Sequence, residues 1–254
     1  YSALATAGVR VPNGFALTAA CYREALSAAD AGPKLHELLD GLDASDVGRL
    51  AQCAQAARDL VYAATGGASL RRSIAEAYRT LEAEYGTNVA VAVRSSATAE
   101  DLPTASFAGQ HESFLNVRGV DGLFEACRRC FASIFTDRAI VYRIDNGFDH
   151  FKVALSVAVM KMVRSDLGAS GVMFTLDTES GFRQVVFITA GMGLGENIVQ
   201  GAIDPDEVYV HKPSYREGFR AVLRRSLGGK QLRMTYGPRG KDRDVTRNRP
   251  TSRA

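Results

Sequence analysis

At residue 88 the chain changes its period, and that change limits the folds open to it. Upstream, apolar side chains recur every three to four residues; downstream they cluster in short β-branched runs separated by Gly, Asp and Pro. The upstream third reads as helical. Thr18 can cap AACYREALSAA, which Asp30-Ala31-Gly32-Pro33 closes, and residues 34–42 repeat the pattern. Asp46 precedes a helical run over 47–64 that ends at Gly66-Gly67. A further helix starts at Ala68 or Ser69, with Leu70, Ile74, Ala77, Tyr78, Leu81 and Tyr85 on one face. Downstream, NVAVAVR and ESFLNV read as strands, 121–146 returns to helix, and five strand-like runs follow from 151. No internal repeat is present. A helical start, an α/β middle and a meandering sheet make the expected class α+β with mixed or antiparallel sheets. The expected organisation is one domain over 1–236, helical to about 87 and sheet-rich over about 88–236. A basic tail without regular structure is expected over 237–254.

The net charge of +3 misleads if it is spread over the whole chain. Residues 238–254 hold six basic side chains against Asp242 and Asp244, so the tail is +4 and the body −1. The body therefore has no basic excess of the kind nucleic acid selects, and a solvated tail is the ordinary reading of such an end. No apolar run approaches the roughly 18–20 residues that span a bilayer. With no secretory pattern at the start, the expected location is cytoplasmic and no membrane partner is expected. Cys127 and Cys130 form a C-x-x-C inside a helical run, with no second ligand pair for zinc, so they read as buried thiols on one helix face.

The stretch Val93 to Val117, VRSSATAEDLPTASFAGQHESFLNV, is where chemistry concentrates. An arginine, Arg94, leaves a buried strand and enters a loop containing Ser95, Ser96, Thr98, Thr104, Ser106 and Gly109. A planar cation followed by hydroxyls and a glycine suits a polyphosphate. The same composition also suits an ordinary polar loop whose hydroxyls cap their own backbone. Composition leaves both readings standing.

RSSATAEDLPTASFAGQ resembles the signature of the N-terminal nucleotide-binding domain shared by phosphoenolpyruvate synthases, pyruvate phosphate dikinases and rifampin phosphotransferases. GVRVPNGFALTA, FTDRAIVYR, GFDHFKVALSVAVMKMVRSDLGASGVMFTLDTESGF and GLGENIVQGAIDPDEVYVHKP narrow the likeness to the synthases (pyruvate, water dikinases) over about residues 1–236. The resemblance implies an incomplete ATP-grasp-like fold, with nucleotide held between two sheet-containing lobes, and ATP with Mg2+ as cofactors. By resemblance, Arg94 matches an arginine on the ATP phosphates and is the one catalytic candidate. Gly109 and Ser113 match a loop closing over those phosphates. Met160, Lys161 and Met162 match a strand whose edge receives the adenine, although Met160 and Met162 suit plain core packing equally. The family's phosphate-binding lysine and its magnesium carboxylates have no counterpart here, so the resemblance implies a domain shortened at both ends, with no metal ligand assigned. A full synthase would convert pyruvate, ATP and water to phosphoenolpyruvate through a phosphohistidine on a swivelling domain and a pyruvate-binding barrel. The isolated chain is expected not to complete that reaction.

Other patterns are poorer. AGMGLGENIVQG does not fit G-x-G-x-x-G, and Gly229-Lys230 lacks the earlier glycine of a P-loop. Glu196, Asp204, Asp206 and Glu207 read as turn and surface residues before they read as a metal site. His111 lies on the hydroxyl-rich loop and reads as a solvated histidine. Three alternatives remain open: a catalytically inactive nucleotide-binding fragment, an antibiotic phosphotransferase of the same superfamily, and an RNA-associated protein acting through its tail.

Overall fold

The computed structural model describes residues 2–97, 101, 102, 105, 106, 113–237 and 246–251. The chain divides into two compact units, Tyr1–Met162 and Val163–Ala254. In the first unit the described elements are α1 (Ser2–Thr6), β1 (Gly14–Leu17), α2 (Ala19–Ala28), α3 (Gly32–Leu39), α4 (Val47–Ala64), α5 (Ala68–Tyr85), β2 (Val91–Ala97), β3 (Asp101–Leu102), β4 (Ala105–Ser106), β5 (Ser113–Val117), α6 (Gly119–Ala132), α7 (Asp137–Asp145) and β6 (Leu155–Lys161). In the second they are β7 (Ala169–Phe174), β8 (Val185–Met192), α8 (Glu196–Val199), β9 (Asp206–His211), α9 (Lys212–Arg216), β10 (Val222–Ser226), β11 (Leu232–Tyr236) and β12 (Thr246–Pro250).

Helices α2 and α4 start where their capping side chains stand. The Thr18 hydroxyl accepts from the Cys21 N–H at 3.3 Å, and the Asp46 carboxylate accepts from the Arg49 N–H at 3.0 Å. α4 then buries Leu50, Ala54, Ala57 and Val61, and α5 buries Ile74, Ala75, Tyr78 and Leu81. The helix expected over 121–146 is interrupted. A 3-10 turn covers Ser133–Phe135, and extended Thr136 accepts from the Ala139 N–H to start α7 afresh. Thr-Asp is an N-cap signal strong enough to break an otherwise continuous pattern. The Cys127 and Cys130 thiols are buried in α6, as their spacing implied, and burial pushes the Cys127 thiol up.

The helical third is not helical throughout. Residues 14–17 form β1, which joins the sheet β1-β6-β2-β5, antiparallel at every pairing. A four-residue strand has too little periodicity to announce itself, and it exists because β6 supplies its partner. Val91, Val93, Leu155, Val157 and Val159 are fully buried on the side of the sheet that packs against α6 and α2.

In the second unit β10-β9-β8-β7 form an antiparallel meander, and β11 pairs with β12. The tail is therefore not free of regular structure, because Thr246–Pro250 takes Leu232–Tyr236 as its partner. Gly193, at φ +85, lets the chain press against the Met234 backbone, and the Leu194 N–H donates to the Met234 carbonyl at 2.9 Å.

Arg143 is wholly buried in the first unit and has no ion-pair partner among the described residues. Its Nη2 donates to the Ile134 carbonyl at 2.7 Å and its Nε to the Nδ1 of His150 at 2.9 Å, which fixes His150 as the Nε2–H tautomer. Burial first, and the Arg143 charge second, hold the His150 pKa down at about 4. The folded pKa lies below the ordinary 6.5, so on acidification the unfolded chain takes up its proton first. The His150 contribution is thus intact above pH 6.5 and is lost between 6.5 and about 4. Urea midpoints measured across that range should fall less steeply for His150→Gln, which keeps an acceptor for Arg143 but cannot titrate.

Candidate functional site

Strand register builds the site. β2 is an interior strand, so each of its residues has a neighbour on both sides: Arg94 lies opposite Ala158 of β6 and opposite Ser113 of β5. Ala158 in turn lies opposite Ala16 of β1, giving one row, Ala16–Ala158–Arg94–Ser113, across all four strands. A second row runs Gly14–Met160–Ala92, and Ser96 pairs with Ser156 beyond Arg94. Side chains alternate along a strand. With Val91, Val93, Val157 and Val159 turned to the helices, these residues share the opposite face. Arg94, Ser96, Ser113, Ala16 and Gly14 are exposed there, and Met160 is 38% exposed.

The face is a shelf of small side chains with one long cation on it. Arg94 makes no ion pair or side-chain hydrogen bond among the described residues. The face carries no carboxylate among its described members, only hydroxyls. Its chemistry therefore suits an anion with a flat or apolar extension. It does not by itself fit Mg2+, which takes carboxylate oxygens and water.

The structure brings together three of the residues singled out by sequence, Arg94, Ser113 and Met160. Lys161 and Met162 it sets apart. Lys161 pairs with Val91 and so turns to the helix side, where its Nζ lies 5.0 Å from the centre of the Tyr85 ring. Met162 is 8% exposed, and its N–H donates to the Ala90 carbonyl at 2.8 Å. β6 lies between β1 and β2 and pairs with both. Gly109 and His111, with Thr98 and Thr104, lie outside the described residues, and of Ser106 only the backbone in β4 is described. Asp204 and Asp206 serve their own turn: Asp204 accepts from the Gly229 N–H at 2.9 Å, and Asp206 accepts from the Gly228 N–H and pairs with Lys230.

Sequence reasoning missed the contribution of β1 and the clamp that holds its start. The Asn13 N–H donates to the Tyr85 hydroxyl at 3.1 Å, its Nδ2 to Glu84 at 2.7 Å, and its carbonyl accepts from the Lys161 N–H at 3.0 Å. Hydrogen bonds from Tyr85 and Asn13 hold the Glu84 carboxyl below its usual value. The available signal was Asn13-Gly14, a turn-forming pair directly before an apolar run.

Comparison with known proteins bears on the whole chain. The pyruvate phosphate dikinase, AMP/ATP-binding domain family matches residues 2–254. Phosphoenolpyruvate synthase of Pseudomonas aeruginosa is 56% identical over 240 residues, 94% of this chain and 30% of that protein. The synthase of Synechocystis is 53% identical over 238 residues, 92% of this chain and 29% of that protein. The synthase of Helicobacter pylori is 48% identical over 254 residues, 100% of this chain and 31% of that protein. The chain thus spans about three-tenths of the length of these curated relatives. The family match also runs through the segment expected to leave the pattern near Gly237.

Gly14 fixes how closely β1 approaches β6. A Cβ there would fall against the Val159 carbonyl oxygen and the Met160 Cα, so the strands would have to part. Gly14→Ala should cost about 1–3 kcal/mol, the usual range for overpacking a close contact, read as a lowered urea midpoint with an unchanged slope.

Proposed function

Because the chain belongs to the pyruvate phosphate dikinase AMP/ATP-binding domain family, we propose that its open sheet face grips ATP by the phosphates, with Arg94 as the anchoring cation. The observation that carries this reading is an exposed guanidinium at an interior position of a rigid sheet, opposite Ala158 and Ser113 and without an ion-pair partner among the described residues. A strand residue there loses little freedom on binding, and a planar guanidinium can bond two phosphate oxygens at once. Ser113 supplies a hydroxyl one strand away, and Met160 supplies apolar area for the adenine. Ala92 and Ala158 keep the space between them low. Lys161 and Met162 act through their backbone, by holding Met160 in register, and Gly109 belongs to the loop that follows the phosphates.

Within a phosphoenolpyruvate synthase, this domain's share would be to present Mg-ATP so that a histidine on another domain takes the phosphoryl group later passed to pyruvate. Phosphoryl transfer depends mainly on positioning and charge stabilisation, and Arg94 does both at the stage of binding. The residues of the open face do not themselves fit the magnesium ion, so no step of the proposal is routed through it.

Titration of ATP by calorimetry against the native chain and Arg94→Ala tests the assignment. Charge-assisted hydrogen bonds are worth about 1.5–3 kcal/mol, so the substitution should weaken ATP about 10- to 100-fold. Adenosine, which has no phosphate, should be little affected. Equal ATP affinity in the two proteins would remove Arg94 from the site.

A further inference from the structure

The β11–β12 ribbon sets two arginines against each other. Arg233 lies directly opposite Arg249, and Thr235 lies opposite Arg247. Alternation puts these four side chains on one face of the ribbon and Leu232, Met234, Tyr236 and Asn248 on the other. The second face is anchored within its own unit. Met234 is buried, Asn248 accepts from the Nδ2 of fully buried Asn197 at 2.8 Å, and the Arg164 guanidinium lies 5.6 Å from the centre of the Tyr236 ring. Rolling the ribbon to hide its arginines would break all three contacts.

Like charges directly opposed across two strands destabilise the pair, so this arrangement needs something to offset it. The described ribbon residues include no Asp or Glu. Among the described residues, ion pairs join Arg164 to Asp166 and Lys230 to Asp206, and neither Arg233 nor Arg249 takes part in one. Asp242 and Asp244 lie outside the described residues. On the same face the Thr235 hydroxyl is shielded from solvent with no hydrogen-bond partner among the described residues, a state that costs about 1–3 kcal/mol until a partner arrives.

We propose that this face binds a small phosphate anion, a phosphate or diphosphate group held between Arg233 and Arg249 with the Thr235 hydroxyl donating to it. Side chains opposed across a ribbon start about 5 Å apart, close enough for two guanidinium forks to converge on one phosphate or bridge two adjacent ones. The ribbon offers five residues per strand, about 17 Å of length, which suits a small anion better than the long track a nucleic acid follows. The assignment concerns the second unit and does not rest on the reading of the Arg94 face.

The probe is inorganic diphosphate, titrated by calorimetry at low ionic strength into the full chain, Arg233→Gln/Arg249→Gln, and Arg94→Ala. The ribbon variant should lose at least tenfold in affinity, and a ribbon-held anion should remain in Arg94→Ala. The ribbon variant should also unfold at an equal or higher urea concentration, since it removes a repulsion, which separates lost binding from lost folding. Native diphosphate affinity in the ribbon variant, or no diphosphate binding by the native chain, would overturn the assignment. So would single-stranded RNA binding that is steeply salt-dependent and lost in the ribbon variant while diphosphate binding persists, because that face would then serve nucleic acid.

Discussion

Register between β2 and β6 is the constraint on which the rest of the first unit depends. The pairing of Val93 with Val159 and Arg94 with Ala158 turns every second residue of β2 toward α6. A slip of one residue would send the Arg94 guanidinium into a core of valines and bring Val91 and Val93 to the open face. Burying that charge unpaired costs several kcal/mol, and exposing two fully buried valines adds about 3–6 kcal/mol. The burial that stabilises the sheet is therefore the same interaction that aims the cation outward. The two cannot be varied separately, and so an ordinary core residue such as Val93 bears on the site as directly as Ser113 does.

β1 completes this arrangement from the far end of the unit's sequence. It joins β6 across more than a hundred residues, and Asn13 ties its start to both Glu84 and Lys161. The long loop closed by that pairing is entropically costly. The clamp offsets part of the cost with hydrogen bonds that also prevent β6 from sliding. Close approach needs Gly14, because any side chain there would meet the Val159 carbonyl. Next to Gly14 the neighbouring strands carry Ala16, Ala92 and Ala158, so this part of the sheet is covered by small side chains, with Ala92 buried.

Local signals made the helices legible. Thr18 and Asp46 cap the helices they precede, and the face predicted for α5 through Ile74, Tyr78 and Leu81 is the buried one. What sequence could not supply was decided by partners remote in the chain. β1 and β12 are strands because β6 and β11 accept them. The side of the sheet to which Lys161 points follows from its pairing with Val91, which no local pattern contains. Met160 and Met162 looked alike in sequence, both suited to a core or to a ligand; two residues apart, one is part-exposed on the open face and the other is buried after the strand has ended. For Arg94 the sequence already held the essential point, a cation leaving a buried strand. Its neighbours across β5 and β6 are what the structure adds.

The arginines of the first unit separate into kinds once their partners are known. Arg143 is buried, and its charge is served by a carbonyl, a neutral imidazole and the Phe135 ring, whose centre is 5.4 Å away. Arg128 lies over the Tyr62 ring at 3.6 Å and donates twice to the Tyr62 carbonyl. Arg58 bonds the Phe135 carbonyl and Asp137. Each is consumed by the fold, joining a helix to its neighbour, and substitution of any of them would report on stability. Arg94 has no such duty among the described residues, although it occupies a strand centre, where an uncharged β-branched residue would stabilise the sheet more. On the proposal that an anion binds this face, the stability forgone at that position is what keeps the cation exposed beside Ser113 and Ala158.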